Sequence, residues 1–337
     1  MPIRIHFFGL DPDREATPLA ASAGVGSRKE TVGADTHRYD RLDAKASQYW
    51  VTADEDDCDL FAYCHSYEEN DATRTGALRA KESGKPCLFL QLIDDTRPVS
   101  LPFGVVYRES LLASERLPHE RVLPAFADDL LRETGGFKPL QKQAKPSVGF
   151  CGFVGTPWGR ALYRLQGRSR KVLGLDLRNQ ALSALGRSSL VRTNFVRRTQ
   201  FWGGAISRFR GPDPDARRRV RQEYLDNLAQ SDYVLCLRGA GNFSYRFYET
   251  LAMGSVPLFV NTDSQLPFDD AIDWRRHVVW VEQEELPQIG EKLAEFHSSL
   301  SEEQFLQLQQ DNRKLWEDYL RPTECYRQVL ERVLKGQ

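Results

Sequence analysis

The 337-residue chain reads as an α/β protein of two domains, on three observations. Short, continuously apolar runs alternate with helical stretches in its first part. The texture then breaks at a polar, breaker-rich stretch beginning near Gly135. Beyond that break an apolar strand, a glycine loop and a helix lead straight into another apolar strand. Continuous apolar runs separated by helices mark strands covered on both faces, hence a mostly parallel sheet. A single hydrophobic core usually stops growing at about 250–300 residues, so two cores are expected here.

The elements follow in order. Ile3 to Phe8, Asp59 to Cys64 and Cys87 to Ile93 are the strand candidates of the first domain, the last introduced by Gly84 and Pro86. Asp71 to Ser83 has helix composition, and Gly84 ends it. Gly135 to Pro146 is rich in Gly, Pro, Gln and Lys and is expected to be the linker, giving domains at 1–140 and 146–320. Val148 to Phe153 opens the second domain as a strand. Asp215 to Gln230 reads as a long helix, Tyr233 to Leu237 as a strand, Tyr245 to Met253 as a helix capped by Gly254, and Val256 to Val260 as the next strand. That succession is a βαβ unit. Pro257 donates no backbone hydrogen bond, so its strand should lie at an edge or begin late. The tail is helical in pattern with a break at Pro322, and residues 321–337 are expected to pack back on the first domain.

Composition narrows the function. A formal net charge of -1 offers no footprint for nucleic acid, so any anion site must be local. None of the six cysteines forms a CxxC pair, and no Cys/His cluster has zinc spacing. Cys87, Cys151 and Cys236 sit inside apolar runs as small hydrophobes, which implies reduced thiols and a cytoplasmic setting. No run approaches the roughly 20 apolar residues of a membrane span.

The stretch Arg238 to Glu249 carries chemistry. It leaves an apolar strand through Gly239 and Gly241, passes Asn242, and enters a helix at Ser244. Glycines let a backbone approach a ligand closely. Ser244 is a good N-cap residue, and the amides and dipole of the helix start suit phosphate. Arg238 presents a planar fork matched to phosphate oxygens. Glu249 can accept two hydroxyl donors, as a ribose diol would require. Read from spacing alone, the stretch is equally a glycine turn with a surface Arg–Glu pair. A third glycine and a Walker lysine are missing, so a redox Rossmann enzyme and a P-loop are disfavoured.

The run from Leu237 through Arg238-Gly239-Ala240-Gly241-Asn242-Phe243-Ser244-Tyr245-Arg246-Phe247-Tyr248-Glu249 to Pro257 resembles the signature of exostosin-type (GT47-like) glycosyltransferases. The resemblance continues through Leu266-Pro267-Phe268-Asp269-Asp270-Ala271-Ile272-Asp273-Trp274 and covers roughly Ser231 to Val281. It implies a GT-B-like fold, with two facing Rossmann-like domains and a cleft between them. It implies an inverting transfer from a nucleoside diphosphate sugar, UDP-linked, to a hydroxyl of a glycan or lipid-linked glycan. Arg238 would face the diphosphate and Glu249 the ribose, while the loop Gly239 to Ser244 would supply amides. Arg246, Arg197 and Asp269 complete the expected nucleotide contacts. Animal exostosins carry an N-terminal membrane segment that has no counterpart in this sequence. It therefore looks like a bacterial-type soluble member, making surface polysaccharide at the inner face of a membrane. The rivals are a GT-B hydrolase or epimerase of sugar nucleotides and a non-catalytic nucleotide- or glycan-binding module of a synthase complex.

Inversion requires a general base. His65, Glu68 and Glu69 after one strand, and Asp94 and Asp95 after another, are the candidates, each also readable as a cap or a solvated residue. Asp269, Asp270 and Asp273 line the donor pocket or cap the turn before Trp274. The acidic triplets Asp54-Glu55-Asp56, Asp57-Cys58-Asp59 and Asp213-Pro214-Asp215 sit far from the glycine loop in sequence, so no metal ligand is assigned and no cofactor is expected. Arg217, Arg218, Arg219 and Arg221 form a solvated helix face or a peripheral contact with anionic lipid or acidic glycan. Trp202 beside Gly203 and Gly204 suits sugar stacking and core packing equally.

Overall fold

The computed structural model describes residues 1–27, 46–167, 169–207 and 211–336, and divides them between two units. The first comprises Met1–Asp128, Gln265–Phe268 and Asp318–Gln337; the second comprises Asp129–Ser264 and Asp269–Glu317. Both are α/β, built on parallel sheets.

In the first unit, β1 (Ile3–Phe8), β2 (Trp50–Thr52), β3 (Leu60–Ser66), β4 (Cys87–Gln91), β5 (Val105–Arg108) and β6 (Glu120–Val122) form a six-stranded sheet. Its order is β2-β1-β3-β4-β5-β6, and every pairing is parallel. β3 and β4 are buried along almost their whole length, as their unbroken apolar runs require. The helix Asp71–Glu82 starts in a capping box between Asn70 and Thr73 and ends just before Gly84 at φ +69°. The C-terminal helix Pro322–Leu334 belongs to this unit. Its Tyr326 ring packs against Trp50 and Phe126, with centroids 6.3 and 5.2 Å apart.

In the second unit, β7 (Ser147–Phe153), β8 (Arg192–Arg198), β11 (Tyr233–Cys236), β12 (Val256–Asn261) and β13 (Val279–Glu282) make a parallel sheet in the order β13-β12-β11-β7-β8. A two-stranded ribbon, β9 (Ile206–Ser207) with β10 (Gly211–Pro212), stands apart. β12 is an inner strand, which bears on Pro257. The ladder to β11 includes Pro257, but the ladder to β13 starts only at Leu258. The missing N–H therefore falls just before the second ladder begins. The core lies between the sheet and the helices Ser169–Arg187 and Ile289–Ser299, with Val148, Phe150, Leu182, Leu235 and Leu258 at its centre.

The boundary falls ahead of the expected linker. Residues 129–146 pack within the second unit instead of hanging between domains. Gln309 brackets Leu140, donating to its carbonyl and accepting from its amide at 2.9 and 2.8 Å. Asp129 pairs with Arg313, and the Phe137 ring lies beside Gly254. A polar composition conceals such anchoring because the partners lie far away in sequence. All six cysteines are unbonded and buried. Burial raises their thiols where a shift is resolved, Cys64 to about 11 and Cys236 to about 12.

Candidate functional site

Parallel sheets gather ligands at the carboxyl ends of their strands. In the second unit these ends bring together three arginines. Arg238 follows β11, Arg246 lies in the first turn of the helix Tyr245–Ala252, and Arg178 lies midway along Ser169–Arg187.

Arg238 is only 6% exposed, and its guanidinium donates to the carbonyl of Ala240 at 3.3 Å, across the turn it introduces. The loop closes through the Gly239 amide, which donates to the Phe243 carbonyl at 3.2 Å. That amide is therefore occupied within the loop and is not available to a phosphate, contrary to expectation. Gly239 has no left-handed φ, and a Cβ there would meet nothing within 4 Å. Its lack of a side chain leaves open space on the loop, the condition for close approach by a ligand.

Arg246 lies over the Phe150 ring, its guanidinium carbon 4.5 Å from the centroid, and donates to the Cys151 carbonyl at 2.8 Å. Gly152 makes this possible, because a Cβ there would stand 2.7 Å from that guanidinium. Arg178 approaches the same ring at 5.7 Å. It donates to the carbonyls of Phe153 and Arg238 at 2.5 and 3.4 Å. Among the described residues neither Arg178 nor Arg246 has a carboxylate partner. Burial, then the positive charge of Arg246, pulls the Arg178 guanidinium down to about 9 from its ordinary 12.5. Two guanidiniums that, among the described residues, have only carbonyl and ring partners make the end of this sheet attractive to an anion.

Glu249 is 3% exposed and accepts a hydrogen bond from the Tyr224 hydroxyl. A diol would have to share this carboxylate with Tyr224. Ser244 occupies the N-cap position of its helix, yet its hydroxyl makes no capping bond. Asn242 is a brace: its amide donates to the Asp263 carbonyl and its carbonyl accepts from Thr262, at 3.0 and 2.8 Å. It ties the glycine loop to the turn after β12. Arg197 is turned elsewhere. It donates to the Leu182 carbonyl on the flank of Ser169–Arg187 and covers Phe195. Asp269 and Asp270 are exposed, and Asp273 occupies the cap of the turn Trp274–Arg276 without a side-chain bond. The side chain of Trp202 lies outside the described residues.

The base candidates of the first unit are engaged structurally. His65 is buried; its Nε2 accepts from the Asp11 amide and its Nδ1 donates to the Glu15 carbonyl, both at 2.9 Å. Both ring nitrogens are therefore engaged within the first unit. Glu68 pairs with Arg14, Glu69 with Arg74 and Asp95 with Arg97, while Asp94 is exposed. The acidic triplets are likewise structural: Glu55 pairs with Arg79, and Asp213 caps its helix. Among the described residues no three His, Cys, Asp or Glu side chains converge on a metal position.

Gly174 and Arg178 escaped the sequence reading. They stand one helical turn apart on one face of Ser169–Arg187, the i and i+4 positions. A Cβ at Gly174 would lie 2.2 Å from the Gly239 carbonyl oxygen, so the helix packs backbone to backbone on the glycine loop. A glycine and an arginine four apart in an otherwise apolar-patterned helix were the available signal.

Residues 187–296 match the model of the Exostosin GT47 domain. The match covers about a third of this chain. Arg238, Arg246 and Glu249 fall inside it, whereas Gly174 and Arg178 precede it. Exostosin-1 of Drosophila melanogaster is 32% identical over 107 residues, 32% of this chain and 14% of the fly protein. A probable glucuronosyltransferase, GUT1 of Oryza sativa subsp. japonica, is 32% identical over 68 residues, 20% of this chain and 16% of the rice protein. The match thus spans a small part of these relatives' length. Among solved structures, MurG of Acinetobacter baumannii aligns over 98% of this chain and 100% of its own at 12% identity and a TM-score of 0.40. Among the described residues no helix is long and apolar enough to cross a membrane.

Proposed function

We propose that the protein is a glycosyltransferase of GT-B type, whose second unit holds the diphosphate of a nucleotide sugar, UDP-linked, at the Arg238 loop. The observation that carries this reading is the convergence of Arg238, Arg246 and Arg178 on the carboxyl ends of β7 and β11, within and beside the match to the Exostosin GT47 domain. The leaving diphosphate is the group whose charge must be stabilised, and preorganised guanidiniums in a low-dielectric site suit that task. In this reading Arg238 contacts phosphate, Arg178 and Arg246 set the potential around it, and Glu249 with Tyr224 receives the ribose. The arginines replace a metal. Transfer inverts the anomeric centre and delivers the sugar to a glycan hydroxyl, in surface polysaccharide synthesis.

Calorimetric titration of UDP, GDP, CMP and dTDP, in EDTA and then in magnesium, tests it with wild type and Arg238→Ala. Selective binding of UDP without metal, lost in the variant, is the expected result. No binding of any nucleotide would overturn the donor site, and binding only in magnesium would overturn the metal-free clamp. A second reading has one observation in its favour: His65, Glu68, Glu69 and Asp95 are all engaged in bonds or ion pairs. It describes a nucleotide-binding module without transfer. UDP binding with no sugar release from any donor, with any acceptor, would select it.

A further inference from the structure

The helix Pro157–Leu165 leaves the carboxyl end of β7, the strand beside β11 and the Arg238 loop. Thr156 caps it by accepting from the Gly159 amide at 3.0 Å, and Pro157 starts it. Yet none of its nine residues is buried. An isolated helix this short is marginal in water, and helices in proteins are usually held by an apolar face on a core. Here the apolar face is turned outward. Trp158 is 87% exposed, Leu162 52% and Leu165 86%. Their spacing of four and then three residues places them on one stripe. The helix is secured from its other side, where Asp176 of the next helix pairs with both Arg160 and Arg164 at 3.2 and 2.5 Å.

Charge accompanies the stripe. From Pro157 to Lys171 the sequence has Arg160, Arg164, Arg168, Arg170 and Lys171 and no acidic residue, in a chain whose net charge is -1. Asp176 offsets one of these five charges. An interfacial tryptophan and a leucine stripe on one short helix, in a segment whose sequence is cationic, match the boundary of an anionic bilayer, where the apolar side settles at the level of the headgroups and cations meet lipid phosphate. The run Arg217 to Arg221, considered above for this role, lacks such a stripe. Its Arg218 pairs with Asp215, and Arg221 pairs with Glu133.

We propose that the helix Pro157–Leu165 is a membrane-docking element that seats the second unit on an anionic lipid surface through Trp158, Leu162 and Leu165. The inference stands independently of the donor assignment. It is tested by co-sedimentation of the full chain with phosphatidylcholine vesicles, with and without a fraction of phosphatidylglycerol. Wild type should pellet with the anionic vesicles only and be released by salt. The double variant W158S/L165S should lose about tenfold or more in partitioning. R168Q/R170Q should lose roughly fivefold for each cation that meets the surface. Trp158 and Leu165 are exposed, so unchanged circular dichroism and melting should accompany the loss in W158S/L165S. Quenching of tryptophan fluorescence by brominated lipid, present in wild type and diminished in W158F, would locate the contact. Equal binding by W158S/L165S, or no preference for anionic vesicles, would overturn the proposal. So would a wild-type dimer in analytical ultracentrifugation that this variant converts to monomer, because the stripe would then be a contact between copies.

Discussion

Gly174→Ala discriminates between a helix that merely covers the sheet and one that shapes the donor loop. On an ordinary helix the change favours folding by about 1 kcal/mol, because alanine is the better helix former. At this position the new Cβ would stand 2.2 Å from the Gly239 carbonyl oxygen, 2.9 Å from the Gly239 carbonyl carbon and 3.2 Å from the Arg238 carbonyl oxygen. Comfortable contact lies near 3.5 Å, so the helix or the loop must yield by about 1.3 Å. All three obstacles are backbone atoms, and no rotamer change can relieve them. Overpacking of this kind typically costs about 1–3 kcal/mol, which cancels or exceeds the propensity gain. The retreat also moves Arg238 and loosens the bond from Arg178 to its carbonyl. A displacement of about 1 Å at a reacting centre can cost roughly 10²-fold. The expected outcome is a melting temperature close to or a few degrees below wild type, with nucleotide affinity or turnover down by one to two orders of magnitude. Thermal melting and nucleotide calorimetry on the same preparation provide both numbers. A variant that is more stable than wild type and binds nucleotide normally would refute the reasoning.

Three further outcomes are expected. Arg178→Met should weaken nucleotide binding about tenfold or more, and Arg178→Lys should restore only part of it, since a lysine keeps the charge but loses the fork that spans two carbonyls; equal affinity in all three proteins would remove Arg178 from the site. His65→Asn should lower stability by about 1–3 kcal/mol by disturbing two buried hydrogen bonds while leaving kcat unchanged, whereas a large loss of kcat at unchanged melting temperature would restore it as a base. His297 is clasped between the Tyr233 hydroxyl and the Gln143 carbonyl, and burial holds its pKa below the ordinary 6.5. The unfolded chain therefore takes up this proton first: the contribution is complete above about pH 6.5 and is lost as pH falls through the folded value. Urea titrations across that window should show a shallower pH dependence in His297→Asn; identical slopes would contradict the assignment.

The parts of the fold that were legible in the sequence are those with continuous apolar runs. β1, β3, β4, β7, β11 and β12 lie where such runs sit, and the helix Pro214–Ala229 lies where its pattern does. β8 was hidden because Arg192, Thr193, Arg197 and Arg198 give an edge strand with a wet face. The helix Pro157–Leu165 was hidden because its apolar residues face away from the core. At the candidate site, Arg238 and Glu249 were legible because a glycine loop after a strand is a local signal. Arg178 was not, since what recruits it is a backbone contact between residues 174 and 239. His65 misled for the opposite reason. A histidine at a strand end looks catalytic until the carbonyl and amide that occupy it are seen.

The C-terminal helix has a consequence for the order of synthesis. Tyr326 packs against Trp50 and Phe126, which precede it by 276 (326 − 50) and 200 (326 − 126) residues. Translation proceeds at about 5–20 residues per second, so roughly 10–40 s separate Phe126 from its partner. All of the second unit is made within that interval, and its sheet contains only strands that are by then complete. The part of the chain synthesised first is thus the part finished last. Until residues 322–334 arrive, the nascent first unit waits with Trp50 and Phe126 uncovered, a natural window for chaperone engagement.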